Sequence, residues 1–158
     1  MTPVLVLLLA FLIGVVSGLR SLTAPAAVAW AAYRGWIVLH YPYLHFLGSL
    51  ASVIVFTVFA LVELVADQLP STPSRTAPPG LIARIVLGAL CGASLADAGA
   101  QSIALGAVLG AAGGIAGAFG GYQVRTRLVK ALKVPDIAIA LLEDALAIGA
   151  GLFLVSRF

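Results

Sequence analysis

Charge is scarce in this chain. Asp, Glu, Lys and Arg together make up 9% of its 158 residues, against about 25% in an ordinary soluble domain. Apolar residues reach 62%, where a soluble domain carries about 45–50%. This shortage excludes a soluble globular protein and leaves a polytopic membrane protein, one transmembrane domain over residues 1–158. Cysteine is nearly absent: Cys91 stands alone, cannot close a disulfide within the chain and carries no redox information. The two histidines, His40 and His45, are separated by Pro42, a poor arrangement for a shared ligand face. Catalytic signatures are missing as well. The chain has no HExxH, no GxSxG, no Walker loop and no paired CxxC, and it lacks the paired aspartates of a lipid-headgroup phosphotransferase. Neither enzymatic activity nor a cofactor is expected.

The formal charge is +3, but nucleic acid is not the implied partner. Arg125, Arg127, Lys130 and Lys133 crowd beside an apolar run, as membrane topology requires, where they can also meet anionic lipid headgroups. Met1-Thr2-Pro3 lacks the basic region of a signal peptide, so the run behind it is read as a retained helix.

Five runs are long enough for membrane helices: 3–19, 46–66, 81–96, 102–122 and 137–155. Residues 22–33 are apolar but span about 18 Å, too little for a core of about 30 Å. They are read as a re-entrant or half-spanning helix, with a short tilted span as the alternative. The aromatic stretch 34–45, with Trp36, Tyr41 and Tyr43, reads as an interfacial loop. Residues 68–80, with Pro70, Pro73, Pro78 and Pro79, read as a rigid non-helical loop, and 123–135 as a basic loop. Asp97 reads as a turn residue. The basic residues put both loops in the cytoplasm and the C-terminus outside.

Glycine supplies the packing signal. Gly14 and Gly18 form a GxxxG, and Gly88 and Gly92 continue a small-residue stripe. Gly106, Gly110, Gly114, Gly117 and Gly121 line one side of a single run. Such stripes let helix backbones approach closely, either within one subunit or across a homodimer seam. Two passages also resemble each other. Gly14 to Arg20 followed by Ala60-Leu-Val-Glu63 parallels Gly117 to Arg125 followed by Ala140-Leu-Leu-Glu143. With five spans the two glycine-rich helices run in opposite directions, a weak inverted repeat of the kind seen in transporters. Chance likeness between glycine-rich helices is the simpler account.

The acids are the candidate site. Glu63 and Asp67 share a helix face, and Glu143 and Asp144 lie inside the last run. A carboxylate at such depth costs roughly 2.5–3.5 kcal/mol unless it faces protein, water or a partner. Three uses compete. The acids can load protons or cations, they can hold a hard divalent metal, or they can pair with Arg20, Arg75, Arg84 or Arg125 and fix the packing. Glu63 and Glu143 are expected close together in one polar pocket. Arg20 either sets topology or holds an anionic group where a helix opens.

Three motifs carry a resemblance across most of the chain. They are Gly18-Leu-Arg-Ser21 followed by Ala24-Pro25, Glu63-Leu-Val-Ala-Asp67-Gln-Leu-Pro70, and Leu142-Glu143-Asp144-Ala145. Together they resemble the bacterial membrane-protein family called domain of unknown function four-one-two-six. In that family an Asp follows the second motif within a few residues. Here Ser71-Thr72-Pro73-Ser74-Arg75 stands in its place. The resemblance implies a bacterial inner-membrane protein and brings no established activity. The expectation is therefore an all-helical membrane bundle, paired as a homodimer, that acts as a small transporter or permease for a small molecule or ion. A non-catalytic membrane scaffold is the alternative, and intramembrane lipid chemistry comes third.

Overall fold

The computed structural model describes residues 1–67, 77–132 and 135–158. Among them the chain is all helical. The helices are α1 (Pro3–Leu19), α2 (Thr23–Tyr33), a 3-10 turn (Pro42–Gly48), α3 (Leu50–Ala66), α4 (Pro78–Ala98), α5 (Ile103–Leu132) and α6 (Asp136–Val155). Three of them, α4, α5 and α6, are long and apolar enough to cross a membrane. The 3-10 turn and α3 make a fourth if that bent pair counts as one. α1 is apolar but shorter.

Glycine builds the centre. α1, α4 and α5 meet backbone to backbone, because no side chain stands between them. A Cβ added to Gly18 would lie 2.6 Å from Gly117 Cα, and one added to Gly88 would lie 2.7 Å from Gly110 O. Gly14 faces Gly110, and Gly92 faces Gly106 and Gly110. Gly113, which the sequence stripe passes over, abuts the α1 backbone at Phe11 and Val15. Gly121 is buried on the same helix. These seams lie inside one chain, so the stripe is occupied within the subunit and does not form a homodimer seam.

The pairings fix direction. Gly14 meets Gly110 and Gly18 meets Gly114 and Gly117, so α1 and α5 are parallel. Gly88 meets Gly110 and Gly92 meets Gly106, so α4 is antiparallel to both. The expected inverted repeat requires the two glycine-rich helices to oppose each other, and they do not. α2 doubles back along α1: Ala27 and Val16 both lie within 4 Å of a Cβ placed on Gly151 of α6. After α2 the chain does not re-enter. It continues to His40, whose N–H donates to Asp97 at the far end of α4 (2.6 Å). Residues 23–41 thus carry the chain from one end of the bundle to the other. The N-terminus therefore lies at the end opposite Arg20, where Val6 packs beside Gly99.

Three boundaries differ from the sequence reading. Residues 123–132 are helix, not loop. Gln, Arg, Lys, Leu and Ala are good helix formers, and no Gly or Pro follows Gly121 until Pro135, so the basic charges ride on an extension of α5. At about 1.5 Å per residue, α5 outruns α1 by several turns. α4 starts at Pro78, inside the expected proline loop, since proline suits a first helical turn. The rest of that loop, 68–76, lies outside the described residues. The run 46–66 is bent by 64°, because Ser49 caps a new helix by accepting from Ser52 N–H (3.1 Å). Asp97 does more than form a turn: it is buried, and its Oδ2 accepts the N–H groups of His40 and Tyr41 (2.6 and 3.1 Å).

The glycine contacts predict unequal costs. Gly110→Leu is expected to lower the thermal unfolding temperature in detergent by driving α1, α4 and α5 apart, at about 1–3 kcal/mol or more. Gly149→Ala, where nothing lies within 4 Å, should leave the protein as stable as the parent or slightly better. Equal behaviour of the two variants would contradict backbone-to-backbone packing.

Candidate functional site

The break between α1 and α2 creates the site. Arg20 leaves the helix in an extended conformation (φ −139°, ψ 110°) while its N–H still bonds Val16 O (2.9 Å). Its side chain has 0% exposure, so the expected topology charge is instead a core residue. Nη1 donates to Asp67 Oδ2 at the end of α3, and Nη2 contacts Asp144 Oδ1 of α6. The second contact lacks hydrogen-bond geometry: Asp144 Oδ1, Arg20 Nη2 and Arg20 Nε make no hydrogen bond among the described residues.

Glu63, one turn before Asp67, has a different task. The first amides of a helix have no partner within it, and Leu22, at the start of α2, has no side chain able to cap them. Glu63 reaches over from α3 to do so. Its Oε1 accepts from Ser21 N–H (2.8 Å) and Ser21 Oγ (2.5 Å), and its Oε2 accepts from Leu22 N–H (2.9 Å). Arg84, buried in α4, completes this side. Its Nε donates to Gly18 O (3.1 Å), its Nη1 to Gly80 O (3.2 Å), and its Nη2 stands 3.7 Å from Glu63 Oε1. Ser17 Oγ returns a bond to Arg84 O (3.1 Å).

Arg125 holds α5 to α6. It bonds Asp136 through Nε and Nη2 (2.9 and 2.5 Å), and its Nη1 lies 3.8 Å from Glu143 Oε2. Beside it opens a cleft of about 440 Å³ between α5, α6 and Leu19, apolar except for Arg125 and Glu143. A smaller cleft of about 230 Å³ separates α2, α3 and α6. There Trp30 Nε1 donates to Thr57 Oγ1 (3.0 Å).

All four sequence-predicted acids and Arg20 gather at one end of the bundle. Glu63 is engaged by Ser21, Leu22 and Arg84, and Glu143 by Arg125. The carboxylates that converge are Asp67 and Asp144, and they converge on Arg20. The other partner expected for Asp67, Arg75, lies outside the described residues. Sequence reasoning passed over Ser17 and Ser21 and treated Arg84 only as a partner. The available signals were Ser21 beside Arg20 at a helix break and an arginine deep in the apolar run of α4. Among the described residues no group of three or more His, Cys, Asp or Glu could hold a metal. Among the described residues five carboxylates (Glu63, Asp67, Asp136, Glu143, Asp144) meet three guanidinium groups (Arg20, Arg84, Arg125).

The cap predicts a stability effect. In Glu63→Gln an amide NH2 replaces one acceptor oxygen, leaving a backbone N–H at Ser21 or Leu22 unpaired. A loss of about 1–3 kcal/mol is expected in chemical or thermal unfolding. No loss of stability would show that the α2 amides do not depend on this carboxylate.

No curated protein and no solved structure matches the chain. A family match does cover nearly all of it, over residues 7–156, and takes in Arg20, Glu63, Asp67, Arg84, Arg125, Glu143 and Asp144. The chain belongs to the family described as Domain of unknown function (DUF4126).

Proposed function

We propose that this chain is a polytopic bacterial inner-membrane protein that works as a small proton- or cation-coupled transporter. The supporting observation is Arg20, wholly buried and shared by carboxylates from two helices, α3 and α6. Two carboxylates on one guanidinium can exchange it, and that exchange ties α3 and α6 to the charge state of the site. Ionisable groups inside apolar bundles mark ion pathways. The short α2, opening at the cluster where α1 breaks, fits the discontinuous helices of transporter sites.

In this reading the chain passes between the bundle ends six times. The Arg20 end, with Arg127 and Lys130 on the α5 extension, lies toward the cytoplasm, and the N-terminus lies outside. The apolar clefts lie against lipid.

A scaffold is the second reading. The observation that favours it is the hydrogen bonding of Glu63 and Arg84 to backbone, which welds α1, α2, α3 and α4 together without needing any transported ion.

Two measurements test these readings. Cysteine introduced at Thr2, Ser102 and Ala131 reports sidedness to an impermeant maleimide on intact cells, with buried Cys91 as background. Labelling at Thr2 and Ser102 with protection at Ala131 is expected. Protection at Thr2 would restore the five-span arrangement. In proteoliposomes holding a pH-sensitive dye, the parent should dissipate an imposed pH gradient, and Asp67→Asn should slow it at least tenfold. A parent indistinguishable from empty liposomes, with and without a mixture of small solutes, would leave the scaffold.

A further inference from the structure

We propose that Asp144 is the proton-binding group of the cluster, and that its protonation hands Arg20 over to Asp67 alone. The proposal rests on the transport reading for its consequence, since it names the coupling ion and its seat. It stands on geometry. Asp144 is in the second turn of α6, its side chain 9% exposed, with Oδ1 turned toward Arg20 and making no hydrogen bond. Asp67 is the more exposed of the two, at 16%, and its Oδ2 does hold a hydrogen bond from Arg20 Nη1. One guanidinium offers one positive charge. With both acids ionised, one negative charge at the site is left over. A proton removes that charge most simply on Asp144, the more buried of the two acids and the one that takes no hydrogen bond from Arg20.

The charged groups around Asp144 support this choice. α1 presents Arg20, and α3 presents Asp67 behind it. Glu63 is committed to the α2 amides and Arg84 to the α1 and α4 carbonyls. α5 presents Arg125, engaged with Asp136 and Glu143 on α6 itself. α2 brings no ionisable side chain to this end. Glu143, the next residue, adds like charge and no relief. Among the described residues no second guanidinium lies within ion-pair distance of Asp144.

The step conserves charge and atoms. A hydronium ion gives its proton to the Asp144 carboxylate, an O–H bond forms, a water molecule leaves, and the carboxyl group becomes neutral. Arg20 keeps its full charge and its bond to Asp67. Release returns the proton to water and restores the Arg20–Asp144 contact that holds α6 to the end of α1. The contact that changes is the one on α6, while α3 keeps its bond to Arg20 through Asp67.

Infrared difference spectroscopy on the full chain in lipid nanodiscs tests the assignment without any transport assay. A protonated-carboxyl C=O band should appear as pH falls and shift on deuteration, and it should be lost in Asp144→Asn. Asp67→Asn should keep the band and move its midpoint, because Arg20 then serves Asp144 alone. Both variants are nearly isosteric, and a parent-like circular dichroism spectrum and elution volume qualify each for comparison. If Asp144→Asn does not fold, Asp67→Asn alone decides: a retained, shifted band supports the proposal, and a lost band places the proton on Asp67 and overturns it. A band that survives Asp144→Asn, or no titrating band in the parent, also overturns it. If the band behaves as expected while proteoliposomes show no flux, the proton site stands and the transport reading falls.

Discussion

A guanidinium sealed from solvent between acids of two helices is the constraint to which the rest of this bundle answers. Arg20 cannot be stranded: a buried charge that loses its partner costs several kcal/mol. α3 and α6 must therefore bring Asp67 and Asp144 to the end of α1, whatever else the apolar surfaces permit. The helix break at Arg20 carries a second obligation, the open amides at the start of α2, and Glu63 meets it from the same face of α3 as Asp67. One turn of α3 thus serves a buried charge and a helix end together.

Glycine makes this placement possible. Backbone contact of α1 with α5 and α4 brings Arg84 within reach of Gly18 O and Glu63, and no side chain larger than hydrogen would allow it. The glycine seam and the ion pairs adjoin each other at Gly18 and Arg20. The seam sets how near the helices come, and the charges set which ends meet. Arg125 repeats the arrangement at a shallower level between α5 and α6, where Asp136 is largely exposed.

Much of this was legible in the residues. The glycine spacing announced close helix packing, and the two acidic pairs announced a polar site, because carboxylates in apolar runs need compensation. Five of the helices appeared as apolar runs. The rest was hidden for physical reasons. Spacing along one helix says which residues share a face, not which face another helix will present, so the sharing of Arg20 by Asp67 and Asp144 could not be read from it. The basic stretch 123–132 looked like a loop because charge density was weighed above helix propensity. Residues 22–33 looked too short to traverse the bundle because 34–45 was read as an interfacial loop, whereas extended backbone after Tyr33 carries the chain on, covering more distance per residue than a helix. The capping of Ser21 and Leu22 by a residue some forty positions away leaves no local pattern at all.

The role of Arg20 as the fixed point of the bundle is most directly tested by equilibrium unfolding of Arg20→Gln beside the triple variant Arg20→Gln, Asp67→Asn, Asp144→Asn. The single substitution leaves Asp67 and buried Asp144 without the guanidinium they share and is expected to lose about 3–5 kcal/mol. The triple variant removes those charges as well and should recover a large part of that loss. An Arg20→Gln protein as stable as the parent, or a triple variant less stable than the single, would contradict the account.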